Sequence, residues 1–149
     1  MPTISKDAAM AELERIVADL PSMTMDAAET AMNDAMLFLL EKVPGYPEAR
    51  EDQGYRRTGT LGRTITTGVD RYEGMITGQL GTNTPYAPWV IGADYPGELV
   101  GDEMKYQAQV HKGRWWQLGD IYEDNVDGAW LIFEEKFWKD LKKRIQEAN

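Results

Sequence analysis

Apolar side chains recur at helical spacing at both ends of the chain, and the spacing changes in between. Leu13, Ile16, Val17 and Leu20 make one face of a helix over residues 7–20, with Ser5 or Asp7 placed to cap its start. Pro21 follows the last of these positions, where a proline ends a helix. Thr24 is placed to cap a second helix reaching about Val43, whose stripe is Met25, Ala28, Met32, Met36, Leu39 and Leu40. Pro44 and Gly45 stop it, so the N-terminal part (1–43) reads as a helical pair or a kinked arm. A polar connection over 44–57, with Pro44, Gly45, Pro47 and Gly54, is expected to be mobile and poorly packed unless a neighbour covers it.

Residues 58–119 lean toward β structure. Ile65, Thr67, Val69 and Arg71 alternate with Thr66, Gly68 and Asp70; a second run from Met75 to Leu80 follows Glu73 and Gly74. Two such runs around a short turn with glycine predict a hairpin. The segment 86–91 fits a helical turn or a short strand, residues 92–103 read as loop, and Tyr106 to Val110 alternates like another strand. From about Asp120 the helical period returns, with Val126, Trp130, Phe133, Phe137, Leu141 and Ile145 on one stripe over 120–149. Gly128 lies inside it and is placed to split it in two. At 149 residues these parts make one domain.

Composition narrows the function classes. The chain is 42% apolar and 28% charged, close to an average globular protein. Its longest clean apolar run, Ala35 to Leu40, is six residues. A membrane span needs about 20. The first residues lack the basic start and apolar core of a signal peptide, and there is no cysteine, which fits a reducing cytoplasm. The net charge of −9 is uneven. Residues 1–54 hold 4 basic and 11 acidic side chains, 55–119 hold 7 and 6, and 120–149 hold 5 and 8. Phosphate backbones attract basic surfaces, so general nucleic-acid binding is disfavoured, with Arg56, Arg57 and Arg63 a local exception.

Tests for catalytic chemistry come back empty. His111 is the only histidine, Ser5 and Ser22 are the only serines, and no nucleophile-elbow spacing occurs, so His111 reads as structural. One histidine without cysteine excludes a zinc site built from those ligands. The 25 carboxylates match no EF-hand spacing and read as a solvated acidic face. The segment 59–63, Gly-Thr-Leu-Gly-Arg, lacks the end of a P-loop; Thr58 more simply starts a helical turn that Gly59 permits. No catalytic, cofactor or metal residue is assigned, and the expectation is a protein that works by binding other proteins rather than an enzyme. The five tryptophans all lie in the second half. Trp130, on the helical stripe, is expected in the core. Trp138 sits at core edge or interface. Trp115 and Trp116 cannot both point inward from a strand, so one of them packs on a second chain or a loop.

The stretch 58–65, Thr-Gly-Thr-Leu-Gly-Arg-Thr-Ile, resembles the Thr-Gly-x-Leu-x-x-Ser-Ile opening of a tail-component family of long-tailed phages, the tail-completion or neck proteins of the head–tail junction. That opening is followed in the family by a hairpin and then by Thr-Asn and Tyr-Ala-Pro, here Thr82-Asn83 and Tyr86-Ala87-Pro88 with Trp89 next. Residues 107–116, from Gln107 through His111 to Trp116, also resemble a segment of some relatives. The family's usual Glu-x-Gly-Thr is replaced by Ile91-Gly92-Ala93-Asp94. The resemblance implies an α+β fold, with N-terminal helices and a C-terminal helix packed on a small twisted antiparallel sheet. It implies a ring-forming homo-oligomer without a cofactor, assembled in the host cytoplasm. Its place in the virion would be the head–tail junction, against the head connector, tail terminator or tail tube, with no membrane and no sequence-specific nucleic acid. Arg56, Arg57, Thr58, Gly59, Leu61, Arg63, Ile65, Tyr86, Trp89, His111, Trp115, Trp116 and Trp138 are then the candidate subunit or partner contacts. Two other classes remain beside it: an acidic protein-binding module such as an inhibitor or antitoxin, and a small hydrolase using two carboxylates in a concave pocket.

Overall fold

A computed structural model describes residues 6–48, 59–92 and 114–148; the side chains of residues 6–9, 88 and 89 are outside that description. The fold is α+β. Helix α1 runs over Lys6–Glu41, a short helix α2 over Thr60–Thr64, strand β1 over Thr66–Tyr72, strand β2 over Met75–Gly81, a short helix α3 over Ala87–Ile91, and helix α4 over Leu118–Glu147. The two long helices pack on each other, and the hairpin lies against α1.

The N-terminal region is one helix rather than two, with Pro21 inside it. Proline removes one backbone donor, a local cost that the helix absorbs here without ending. Thr24, expected as a cap, instead donates its hydroxyl to the Leu20 carbonyl one turn back, at 2.8 Å. Past Pro21 the face bearing Ala27, Ala31 and Ala35 is buried. Small side chains there let α4 approach closely.

Helix α4 is likewise continuous through Gly128. A Cβ at Gly128 would stand 2.9 Å from Phe38 Cζ, so this glycine accommodates the helix crossing rather than breaking the helix. Ala129, not Trp130, faces Ala35, Met36 and Leu39 in the core. Trp130 is 52% exposed, contrary to the expectation that it fills the core. Ala129 takes the position against α1, and Trp130, one residue on and turned away from it, packs edge-on to Phe133 with centroids 5.2 Å apart.

The predicted hairpin is present. Strands β1 and β2 pair antiparallel from Thr66 opposite Gly81 to Tyr72 opposite Met75. Glu73 and Gly74 make the two-residue turn with φ of 41° and 82°, the left-handed backbone such turns need. Thr67, Val69, Ile76, Gly78 and Leu80 are half-buried and the alternate positions are exposed, as period two dictates. Leu80 touches both core clusters, the helical one and a second built from Leu61, Ile65, Ala87, Ile91, Trp115 and Leu118.

Two ion pairs tie the hairpin and α4 to one carboxylate of α1. Asp26 accepts from Arg71 at 2.6 Å and lies 3.6 Å from Arg144. Lys136 pairs with Asp34 at 3.3 Å. Among the described residues, no helix is long and apolar enough to cross a membrane.

Candidate functional site

Two of the three sequence segments that resemble the phage family meet in space; the third, 107–116, lies outside the described residues up to 113. Gly59, at φ 72°, begins α2, so the expected helical turn exists with glycine as its cap. Its threonine hydroxyl network then joins the end of β2. Thr64 Oγ1 lies 2.8 Å from Thr82 Oγ1 and 2.6 Å from Thr84 Oγ1. Thr82 donates to Thr84 Oγ1 at 3.0 Å, and the Thr84 backbone N–H donates to Thr82 Oγ1 at 3.1 Å. Thr84 is nearly buried, and its carbonyl accepts the Ala87 N–H at 3.0 Å at the start of α3. The network therefore fixes the Thr-Gly turn, the Thr-Asn step and the Tyr-Ala-Pro element against each other.

An open groove of about 860 Å³ runs along this junction, lined by Thr60, Arg63, Thr64 and Tyr86 and by the hairpin ends at Thr66–Gly68 and Gln79–Gly81. Among the described residues its lining has one cation, Arg63, and no carboxylate, histidine or lysine. Such a surface offers hydroxyl, amide and guanidinium hydrogen bonds, which suits a polar backbone or side-chain partner. A second, smaller cavity of about 130 Å³ is apolar, floored by Met36 and Ala129 and rimmed by exposed Tyr122 and Trp130.

The candidate contacts separate into distinct groups. Leu61, Ile65 and Trp115 are buried in the chain's own second core, so their side chains are already occupied. Arg63 is exposed, and Tyr86 is 45% exposed, both on the groove. Trp116 is half-buried, and its indole N–H donates to the Gly45 carbonyl at 3.1 Å, so this tryptophan packs on a loop. Trp138 is 57% exposed on α4, edge-on to Phe137 at 5.0 Å and remote in sequence from the groove elements. Trp89 lies in α3, but its side chain is outside the described residues, as are Arg56, Arg57, Thr58 and His111 altogether. The expected strand over 106–110 also lies outside them.

The connection after α1 is better held than expected over its described part, residues 44–48. Tyr46 stacks tilted on Trp115 at 5.1 Å and accepts the Gly62 N–H at 2.7 Å. Arg114 donates to the Glu48 carbonyl at 2.9 Å. Among the described residues, no group of three or more histidine, cysteine or acidic side chains is arranged to hold a metal.

Sequence reasoning singled out Trp138 as a core-edge or interface residue and the apolar face of the first helix, but not that this face stands exposed, nor Leu131. Met10, Leu13, Val17 and Leu20 on α1, and Leu131 and Trp138 on α4, are all between 37% and 68% exposed. The signal was available in part: residues 10, 13, 17 and 20 follow the alternating three- and four-residue spacing of a coiled-coil seam. No family model, curated protein or solved structure matches the chain.

Proposed function

We propose that this protein is a structural assembly component of a phage head–tail junction, a tail-completion or neck adaptor that acts by protein–protein contacts in a ring. The observation that carries the reading is the convergence of Thr60, Arg63 and Thr64 with Thr82, Asn83 and Tyr86 on one groove held by the Thr64–Thr82–Thr84 hydroxyls. The polar residues of these separate short motifs thus share one surface, while Leu61, Ile65 and Ala87 anchor it from the core, which suits a shared role in contact with a neighbour. The polar lining with Arg63 on it suits a protein partner: the head connector, the tail terminator or the tail tube. The net charge of −9 supports the same reading, since an acidic ring lets DNA slide past instead of holding it. Arg56, Arg57 and Arg63 then belong to a subunit or partner contact, and purified protein is expected not to bind duplex DNA through them.

The test is the mass of the purified protein by light scattering, alone and mixed with the tail protein encoded beside it. A closed ring in either condition is the expected result. A monomer that ignores tail proteins would overturn the reading in favour of an acidic module with a basic partner, such as an inhibitor or antitoxin. Duplex DNA binding lost on changing those arginines would overturn the assignment of the arginines.

A further inference from the structure

Helix α1 is longer than the helix it packs against. Asp34 pairs with Lys136 and Asp26 with Arg144, so eight residues back along α1 match eight forward along α4. In that register α4 ends near the level of Met23, and Arg15 reaches back to the carbonyl of Ala148 just beyond it. The turns from Lys6 to about Leu20 therefore overhang α4 as an arm of about 22 Å at 1.5 Å per residue. The arm keeps the apolar seam Met10, Leu13, Val17 and Leu20, and all four are exposed. Because α1 is one continuous helix, the arm runs on past its own α4 and cannot fold back to cover that seam.

A complementary strip lies on the outside of α4. Leu131, Trp138 and Ile145 recur every seven residues, and the first two are 68% and 57% exposed. Lys142 sits between Trp138 and Ile145 on that face, with Lys139 and Lys143 beside it, all exposed. The strip from Leu131 to Ile145 is about 21 Å long, the length of the arm. Charge matches as well. Residues 10–20 carry Glu12, Glu14, Asp19 and Arg15, a net −2; residues 139–147 carry four basic and two acidic side chains, a net +2. The turn before them carries Glu134 and Glu135, so the acidic arm fits the last turns of the strip.

We infer that the α1 arm of one copy docks on the outer α4 strip of the next copy, joining subunits head to tail. The contact uses two different patches, so it generates a ring or an open chain rather than a closed twofold dimer. It rests on the ring reading above for closure, and it names the patches that close it. Two arms pairing with each other would bury the same seam, but their like net charges oppose it.

Sedimentation or light scattering across a concentration series tests it with the full chain. Wild type is expected to associate as concentration rises. Leu13→Glu with Val17→Glu, and separately Trp138→Glu, should each weaken association by about tenfold or more. All three positions are exposed, so the circular dichroism of a folded chain is expected from both variants. Mixed one to one, the two variants should form a dimer that grows no further, because one intact arm and one intact strip remain. Lys139→Glu with Lys142→Glu should weaken assembly, and adding Glu12→Lys with Glu14→Lys should restore it. A wild type that stays monomeric at every concentration overturns the inference, as does a wild type that associates while the two variants fail to pair. Either failure leaves binding to tail proteins to be judged by its own experiment. Loss of tail-protein binding would leave the arm contact standing.

Discussion

The two halves of α1 present the same kind of stripe and meet opposite fates. From Ala27 to Leu39 the stripe is buried against α4 and the hairpin; from Met10 to Leu20 it is exposed. The residue types differ accordingly. Alanines line the covered half, where a neighbouring helix must come close, and Leu, Val and Met line the open half, where bulk meets no packed neighbour. Amphipathic periodicity says which face of a helix is apolar. It does not say whether a partner is present to cover it.

Breaking the covered half should have the largest effect. Leu39 is 2% exposed, and Leu39→Ala is expected to destabilise the fold by about 2–5 kcal/mol in urea titration. Leu13→Ala, at 54% exposure, should change monomer stability by less than about 0.5 kcal/mol. Equal losses for the two would mean that the arm is covered within its own chain. Next comes Gly128→Leu, which forces side-chain atoms into Phe38 and should cost about 1–3 kcal/mol by the same assay. An unchanged midpoint there would show that the helices can part at no cost.

Smaller effects sharpen the contrast. Asp26→Asn weakens the ion pairs of Arg71 and Arg144, which are about one-third exposed, and should cost roughly 1 kcal/mol or less. High salt should shrink that loss, because it screens the wild-type pairs. In the arm, the Arg15 hydrogen bond holds the Glu12 carboxyl below its ordinary value of 4.5. A carboxylate depressed in this way supports the folded helix above its unfolded-state pKa, and that support fades as pH falls through the folded one. Glu12→Gln should therefore show less helical signal than wild type at neutral pH, with the gap closing below pH 4.5. A gap that persists in strong acid would mean that the ion pair contributes nothing to the arm.

Much of the candidate site was legible along the chain, and its spatial arrangement was not. The Gly59 turn and the hairpin around Glu73-Gly74 rest on local backbone preferences, so local reasoning found them; for 86–91 it left a helical turn and a short strand open, and the structure has the helix. That Leu61, Ile65 and Trp115 would be spent on the core while Arg63 and Tyr86 stayed outside depended on packing between segments far apart in sequence. The Thr64–Thr82–Thr84 network left no sequence signal beyond three threonines, because hydroxyl pairing is decided by distances that no spacing rule encodes.

By itself, the sequence determined the element types, the hairpin turn and the apolar faces of the helices, since these follow from periodicity and from glycine's backbone freedom. Only the tertiary structure decided that Pro21 and Gly128 interrupt nothing, that Ala129 takes the core position in place of Trp130, and that four apolar residues of α1 stand uncovered. The reason is common to Gly128, Ala129 and the uncovered residues. Burial is a relation between two elements, fixed by how far one extends along the other and how closely they approach, and neither length of overlap nor distance is written in the residues of one helix.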